Sequence, residues 1–359
     1  MKIRHWLRVA SLAVLSLVSA TTTPIRAQQQ TSPSDAIRLR DIGPSRQSGR
    51  FIEFAVVESK PAVFYAATAS GGLWKTVNNG ITFESVFDNQ PVISIGAVAV
   101  SQSNPDIVFV GTGEGNNSRS SYYGDGIYKS TDAGATWKNV GLPNSGHFGR
   151  IVIHPTNPNI VFAAALGNLY SENPDRGLYR TIDGGTTWTK VLDHTVDGRA
   201  IGAVDVAMDP SNPQVLYAAT YDKVRRPWTF GEGGPGSAAF KSTNGGTTWT
   251  QLNTGIKSSL VGRIGIAIAR SDPKTVYIVM ENASSGNIPE AQRRARLALG
   301  FGDNSIGDQL FRTDDAGKTF RQVAPSEAAP AVAQTPEGEP AVAAGAARGG
   351  AGAAGAGRG

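Results

Sequence analysis

One eight-residue phrase occurs five times in this chain of 359 residues, and it restricts the fold more than any other feature. The copies are TVNNGITF from Thr76, STDAGATW from Ser130, TIDGGTTW from Thr181, STNGGTTW from Ser242 and TDDAGKTF from Thr313. Each has Ser or Thr first, Asp or Asn third, Gly fifth, Thr seventh and an aromatic last. The third-position residues Asn78, Asp132, Asp183, Asn244 and Asp315 lie 54, 51, 61 and 71 residues apart. Self-similarity on this scale marks one supersecondary unit built several times over.

The residues around each phrase read as four short strands. In the third copy these are FGRIVIHP (Phe148 to Pro155), IVFAAAL (Ile160 to Leu166), GLYRT (Gly177 to Thr181) and TTWTKVL (Thr186 to Leu192). β-Branched and aromatic residues fill the runs, while Asn-Pro and Gly-Gly punctuate them. The other copies align on the same skeleton, with second strands AVFYAAT, DIVFVGT, QVLYAAT and TVYIVME. Four-stranded antiparallel units repeated in this way predict an all-β chain, a β-propeller with five blades visible. An open array leaves an unpaired edge, so the expectation is part of a larger propeller. The phrase falls at the hairpin between third and fourth strands, where the fifth-position glycine supplies a positive φ and the Asp or Asn closes an Asx turn.

These phrases resemble the Asp-box, or BNR, repeat SxDxGxTW of sialidases, xyloglucanases and sortilin-type propellers. The likeness runs from residue 49 to about 323, with Asn78 and Asn244 standing where Asp is usual. The phrases DIGPSRQSGR, ATASGGLWKT and RRPWTF look like bacterial exported sortilin-like proteins. That resemblance implies a propeller that binds protein, peptide or glycan ligands.

The ends of the chain differ from its middle. Residues 1–27 read as an export signal, with Lys2, Arg4 and Arg8 before the apolar run Val9 to Ala20. A run of twelve residues is too short to span a bilayer, which needs about 20. The expectation is therefore a periplasmic or secreted protein with no integral membrane segment after cleavage. Residues 28–48 are a lead-in, 49–323 the propeller and 324–359 an Ala/Gly/Pro-rich tail. The tail lacks aromatics and periodicity and is expected to be disordered. Missing C-terminal blades or domains are expected beyond it. Lys2, Arg4, Arg8 and Arg26 supply four of the five net positive charges. The remainder has no clustered basic face, so no nucleic-acid partner is expected. Cysteine is absent, which excludes disulfides and thiolate chemistry. No HExxH or GxSxG motif is present, and neither metal nor cofactor is expected.

Specificity should reside where the repeat is broken, in loops between second and third strands, on the face opposite the octapeptide turns. The second unit has Glu114, Asn116, Asn117, Arg119, Tyr122, Tyr123 and Asp125 in such a loop. The fourth has Arg225, Arg226, Trp228, Phe230 and Glu232. The fifth has a long insertion, Glu281 to Gln309. Aromatics mixed with amides and charges suit recognition by stacking and hydrogen bonding. Aligned first strands place Glu53, Arg150 and Asp205 in one column. That column reads either as a ligand site or as an internal ion-pair network. Arg50, Arg150, Arg199 and Arg263 each follow glycine and could form an anion ring.

Two chemistries compete. A glycoside hydrolase needs two carboxylates about 5–9.5 Å apart, with Glu114, Asp125, Glu232 and Glu281 as candidates. In the resembling xyloglucanases a catalytic Asp lies in a stretch like YARTDIGGAY. Here the stretch is YAATASGGLW, with Ala69 at the Asp position. The FRIP motif of sialidases is missing. These departures favour a non-catalytic, ligand-binding module, with a glycoside hydrolase acting on a polysaccharide as the alternative.

Overall fold

The computed structural model describes residues 50–117, 121–226, 228–231, 233–253, 255, 260–285 and 305–324. The expected signal, the lead-in and the tail beyond Ala324 lie outside these residues, as do Arg119 and Glu232.

Every described regular element but one 3-10 turn is a strand. The first sheet holds β1 (Phe51–Val56), β2 (Phe64–Thr68), β3 (Leu73–Thr76) and β4 (Glu84–Ser85). The second holds β5 (Ile95–Val100), β6 (Val108–Thr112), β7 (Ile127–Ser130) and β8 (Lys138–Asn139). The third holds β9 (Phe148–Ile153), β10 (Val161–Ala165), β11 (Gly177–Thr181) and β12 (Thr189–Leu192). Each pairs in sequence order, antiparallel throughout. The fourth unit inserts extra strands. A short β13 (His194–Val196) turns through Asp197 and Gly198 into the long β14 (Arg199–Met208), which pairs with β15 (Leu216–Tyr221). A separate hairpin of β16 (Val224–Arg226) and β17 (Thr229–Gly231) precedes β18 (Ala239–Ser242) and β19 (Thr250–Gln251). The fifth sheet is β20 (Val261–Ile268), β21 (Val276–Ser285), β22 (Ser305–Thr313) and β23 (Arg321–Ala324).

The composition of the second strands follows from their place. β6 and β10 are buried at every position, because neighbouring sheets cover both of their faces. Strands covered twice cannot alternate polar with apolar, and alanines let the sheets approach closely. Four apolar clusters result, one between each pair of successive sheets. Tyr65, Ile95 and Tyr128 belong to the first, Phe109, Phe148 and Tyr179 to the second. Phe162, Leu192 and Phe240 belong to the third, and Tyr217, Ile264 and Phe311 to the fourth.

The octapeptide builds the same turn five times. The first-position hydroxyl accepts from the fifth-position N–H, as Ser130 Oγ does from Gly134 at 2.8 Å and Thr181 Oγ1 from Gly185 at 2.9 Å. It donates to the third residue, 2.7 Å from Ser130 to Asp132 and 2.8 Å from Thr181 to Asp183. The third residue then accepts the seventh N–H and engages the seventh hydroxyl, 2.7 Å from Thr187 to Asp183. In the two Asn copies that last bond reverses. Asn78 Nδ2 donates to Thr82 at 2.9 Å and Asn244 Nδ2 to Thr248 at 2.8 Å. The fourth position is also left-handed, with φ of 55° at Ala133 and 59° at Ala316, a cost the sequence pattern does not reveal. These turns consume residues assigned to the fourth strand, so β12 begins at Thr189 rather than at Thr186.

The same turns stitch sheet to sheet. A cation on each of the first four sheets' third strands reaches the fourth-position carbonyl of the next turn. Lys75 reaches Ala133 at 2.8 Å, Lys129 reaches Gly184 at 2.9 Å, Arg180 reaches Gly245 at 2.8 Å and Lys241 reaches Ala316 at 2.6 Å. Trp137 and Trp188 return the contact, donating indole N–H to Val86 O and Val140 O of the preceding sheets at 2.7 and 2.9 Å.

Candidate functional site

Each first strand carries a register shift near its start, between Phe51 and Glu53 in β1 and between Ala203 and Asp205 in β14. β9 shifts between Phe148 and Arg150. Such bulges re-aim the following side chain, and they bring Glu53, Arg150 and Asp205 together. Arg150 contacts Glu53 through Nη1 and donates Nε–H to Asp205 Oδ1 at 3.0 Å. The second oxygens hold neighbouring strands: Glu53 accepts from Val98 N and Asp205 from Ile266 N, both at 2.8 Å. Burial pulls the Arg150 pKa down, but the Asp205 and Glu53 carboxylates outweigh it, so the pKa ends above the usual arginine value. Burial raises the Glu53 carboxyl, with Arg150 opposing. Of the two readings of this column, the geometry is that of an ion-pair network joining first strands of several sheets.

The four candidate ring arginines are individually engaged. Arg50 lies against Glu114, and Arg199 grips Asp222 with two bonds of 3.0 and 3.1 Å. Arg263 donates to Asn116 Oδ1 at 2.9 Å.

A cavity of ≈ 330 Å³ opens beside Arg150, lined also by Asp205, Arg263, Glu281 and Asp308. Glu281 and Asp308 face each other in register across β21 and β22. The region from Glu281 to Gln309, expected to be a loop insertion, is corrected here. β21 runs on to Ser285 and β22 starts at Ser305, so both carboxylates sit on strands. Like charges directly opposite on a sheet are unfavourable, and side chains so paired lie about 5 Å apart at Cβ. From Cβ positions that close, the two carboxyl groups can reach the separations glycoside hydrolysis uses. Glu281 Oε2 also accepts the Arg263 N–H at 3.2 Å.

The loops between second and third strands hold the remaining candidates. Glu114 is buried, with Ser121 Oγ donating to it at 3.1 Å. Asp125 is held by Thr112 and by the Tyr128 hydroxyl at 2.7 Å, a bracing role within the second sheet. Asn117 is buried with φ 57°. Tyr123 packs against His147, ring centroids 5.3 Å apart, and its hydroxyl meets Asn168. Arg225 stacks on Phe230 at 4.4 Å, and Arg226 is exposed beside it. Tyr122 is 57% exposed and Trp228, at the tip of the β16–β17 hairpin, 81%. Tyr170, in the corresponding loop of the third sheet, is 45% exposed and was not singled out by the repeat comparison. Its loop is shorter than those of the second and fourth units, so no insertion marks it. Ala69 follows β2 directly and is buried, its N–H bonded to Arg50 O at 3.1 Å.

The family model Sortilin-Vps10 (sortilin, neurotensin receptor 3) matches residues 125–304, half of the chain. The chain belongs to that family. A curated xyloglucanase of Paenibacillus sp is 27% identical over 272 residues, covering 68% of this sortilin-family chain and 25% of the relative. One from Hypocrea jecorina is 29% identical over 310 residues, covering 77% and 33%. The chain thus spans a quarter to a third of these relatives' length. Among solved structures, a GH74 enzyme of Niastella koreensis matches with TM-score 0.54 at 20% identity, over 75% of this chain and 37% of that one. A GH74 xyloglucanase from Xanthomonas campestris gives 0.51 at 17%, over 76% and 38%. The structural matches share the fold. The expectation of a non-catalytic module is corrected by these curated relatives, xyloglucanases that match 68% and 77% of this chain.

Proposed function

We propose that this sortilin-family chain is the propeller part of an exported glycoside hydrolase acting on a polysaccharide. The xyloglucanase relatives carry the reading. The site's architecture supports it: exposed Tyr122, Tyr170 and Trp228 stand on second-to-third-strand loops of three successive sheets. Aromatic faces so placed bind sugar rings while leaving their polar edges free. Export rests on the leader-like residues 1–27.

Glu281 and Asp308 are the carboxylates we assign to general-acid and nucleophile or base roles. Ala69 cannot supply an acid, so the Asp position of the resembling xyloglucanases is not used here. Arg263 and Arg150 line the same cavity and favour the ionised member of the pair.

The sheets are read as successive blades of a larger propeller. The first sheet exposes Phe51, Phe54 and Phe83, with Phe54 and Phe64 rings 6.0 Å apart. On the fifth sheet Arg312, which corresponds to Lys75 and Lys241, lies 5.5 Å over Tyr277 and pairs with Asp314. Both faces fit further sheets of the same kind.

The test is turnover by the full chain on neutral and acidic plant and bacterial polysaccharides. Release of new reducing ends is expected on at least one of them. Ligand binding across the panel without any cleavage contradicts the proposal.

A further inference from the structure

Beyond the proposed reaction centre, a second small cavity lies between the loops of the third and fourth sheets. Its volume is ≈ 30 Å³, and Arg176, Lys223, Arg225, Arg226, Glu172 and Tyr170 are among its lining residues. That is room for a group the size of a carboxylate and too little for a sugar ring. Four cations face one acid.

The charges are held in place by the fold. Lys223 is buried and donates to Asn168 O at 3.1 Å, and Arg176 Nη2 donates to that same oxygen at 3.1 Å. Two buried cations therefore converge on a single neutral acceptor. Arg176 is 3% exposed and is reached by Glu172 at 3.2 Å. Its Nε–H is buried without an acceptor, as is that of Arg225. The next acid, Asp222, is spent on Arg199 and on the Gly236 N–H. Buried donors left without acceptors are costly, and buried like charges repel. An oxyanion entering the cavity relieves both penalties with charge-assisted bonds.

We propose that this cavity is a subsite for the carboxylate or sulfate of an acidic sugar. The aromatics beside it identify the carrier. Tyr170 lines the cavity and is exposed, and Trp228 stands on the hairpin that bears Arg225 and Arg226. A pyranose ring resting on these aromatics can direct its acidic substituent into the cavity. The inference rests on the polysaccharide reading for its substrate class: uronate-bearing or sulfated glycans rather than neutral ones.

Calorimetry on the full chain at pH 6 and fixed ionic strength tests it, with methyl glucuronide, sulfate and methyl glucoside as probes. Saturable binding of glucuronide with competition by sulfate is expected, and none of glucoside. Lys223→Met and Arg225→Gln should each weaken glucuronide binding at least about tenfold, with unchanged circular dichroism. Lys223→Arg should retain it. A uronate-bearing oligosaccharide should bind more tightly than its neutral counterpart. Absence of saturable glucuronide binding, wild-type affinity in both variants, or equal affinity for the two oligosaccharides overturns the assignment. Binding is read without turnover, so Glu281→Gln protein serves equally well and failure of the hydrolase reading shows separately.

Discussion

Asp183 and Asn244 occupy one position of a repeated turn and differ by a titratable group. Hydrogen bonds from the Thr187 N–H and hydroxyl and from Thr181 hold the Asp183 carboxyl down to about 2. Its folded pKa lies below its unfolded value, so its contribution is present above about pH 4 and lost as pH falls through 2. Asp183→Asn should leave Tm at pH 7 nearly unchanged, because Asn78 and Asn244 build the same turn. It should also reduce the loss of Tm on acidification from pH 4 to 2. Asp183→Ala, by contrast, should lower Tm at neutral pH. Thermal melts across that range decide the matter. Lys223 has the opposite character. Burial, then Arg176 and Arg225 with Glu172 opposing, lowers its pKa to about 7. The unfolded chain binds that proton up to about pH 10, so stability rises with pH between about 7 and 10. Lys223→Met should stabilise the free protein by about 2–4 kcal/mol at pH 6 and by progressively less toward pH 10, read from denaturant unfolding.

At the scale of elements, the repeat made most of the architecture legible. Ser/Thr, Asp/Asn and Gly at fixed offsets specify a turn whose bonds are local, and local chemistry can be read from sequence. The runs VFVGT and VFAAA betray strands covered on both faces. Three features were not legible. The left-handed Ala133 and Ala316 carry no residue signal. The β16–β17 hairpin forms within a segment whose polar composition reads as loop. The continuation of β21 and β22 through the fifth-unit insertion depends on their mutual pairing, a non-local term. Asp308 was missed for that reason, since its significance lies in the residue across from it. The eighth-position aromatic offers a stability test. Trp188 packs in a core cluster and donates to Val140 O. Trp188→Ala should therefore cost about 3 kcal/mol, whereas Phe83→Ala, on the outer face of the first sheet, should cost under about 1 kcal/mol. Equal losses contradict the stitched-sheet account.

Across the whole array of sheets, the stitching turns and the proposed recognition loops occupy opposite ends of the strands. The octapeptide turns bind sheet to sheet, while loops at the other end diverge and hold Tyr122, Tyr170, Trp228 and the ≈ 30 Å³ cavity; the ≈ 330 Å³ cavity is lined by strand residues. Arg150, Glu53 and Asp205 stand between, and Arg150→Met should lower stability by about 2 kcal/mol. This is less than for a fully enclosed triad, since its side chain is 43% exposed. The outer apolar face of the first sheet, with Phe51, Phe54 and Phe83, should drive self-association of the isolated chain. Phe54→Ser should reduce light scattering without lowering Tm. The proposed hydrolysis assigns its acid and its nucleophile or base to the facing carboxylates of β21 and β22. The most direct measurement is kcat on the cleaved polysaccharide for wild type, Glu281→Gln and Asp308→Asn, with folding checked by circular dichroism. A fall of at least about 100-fold in each variant is expected. Wild-type turnover in both folded variants would contradict the account.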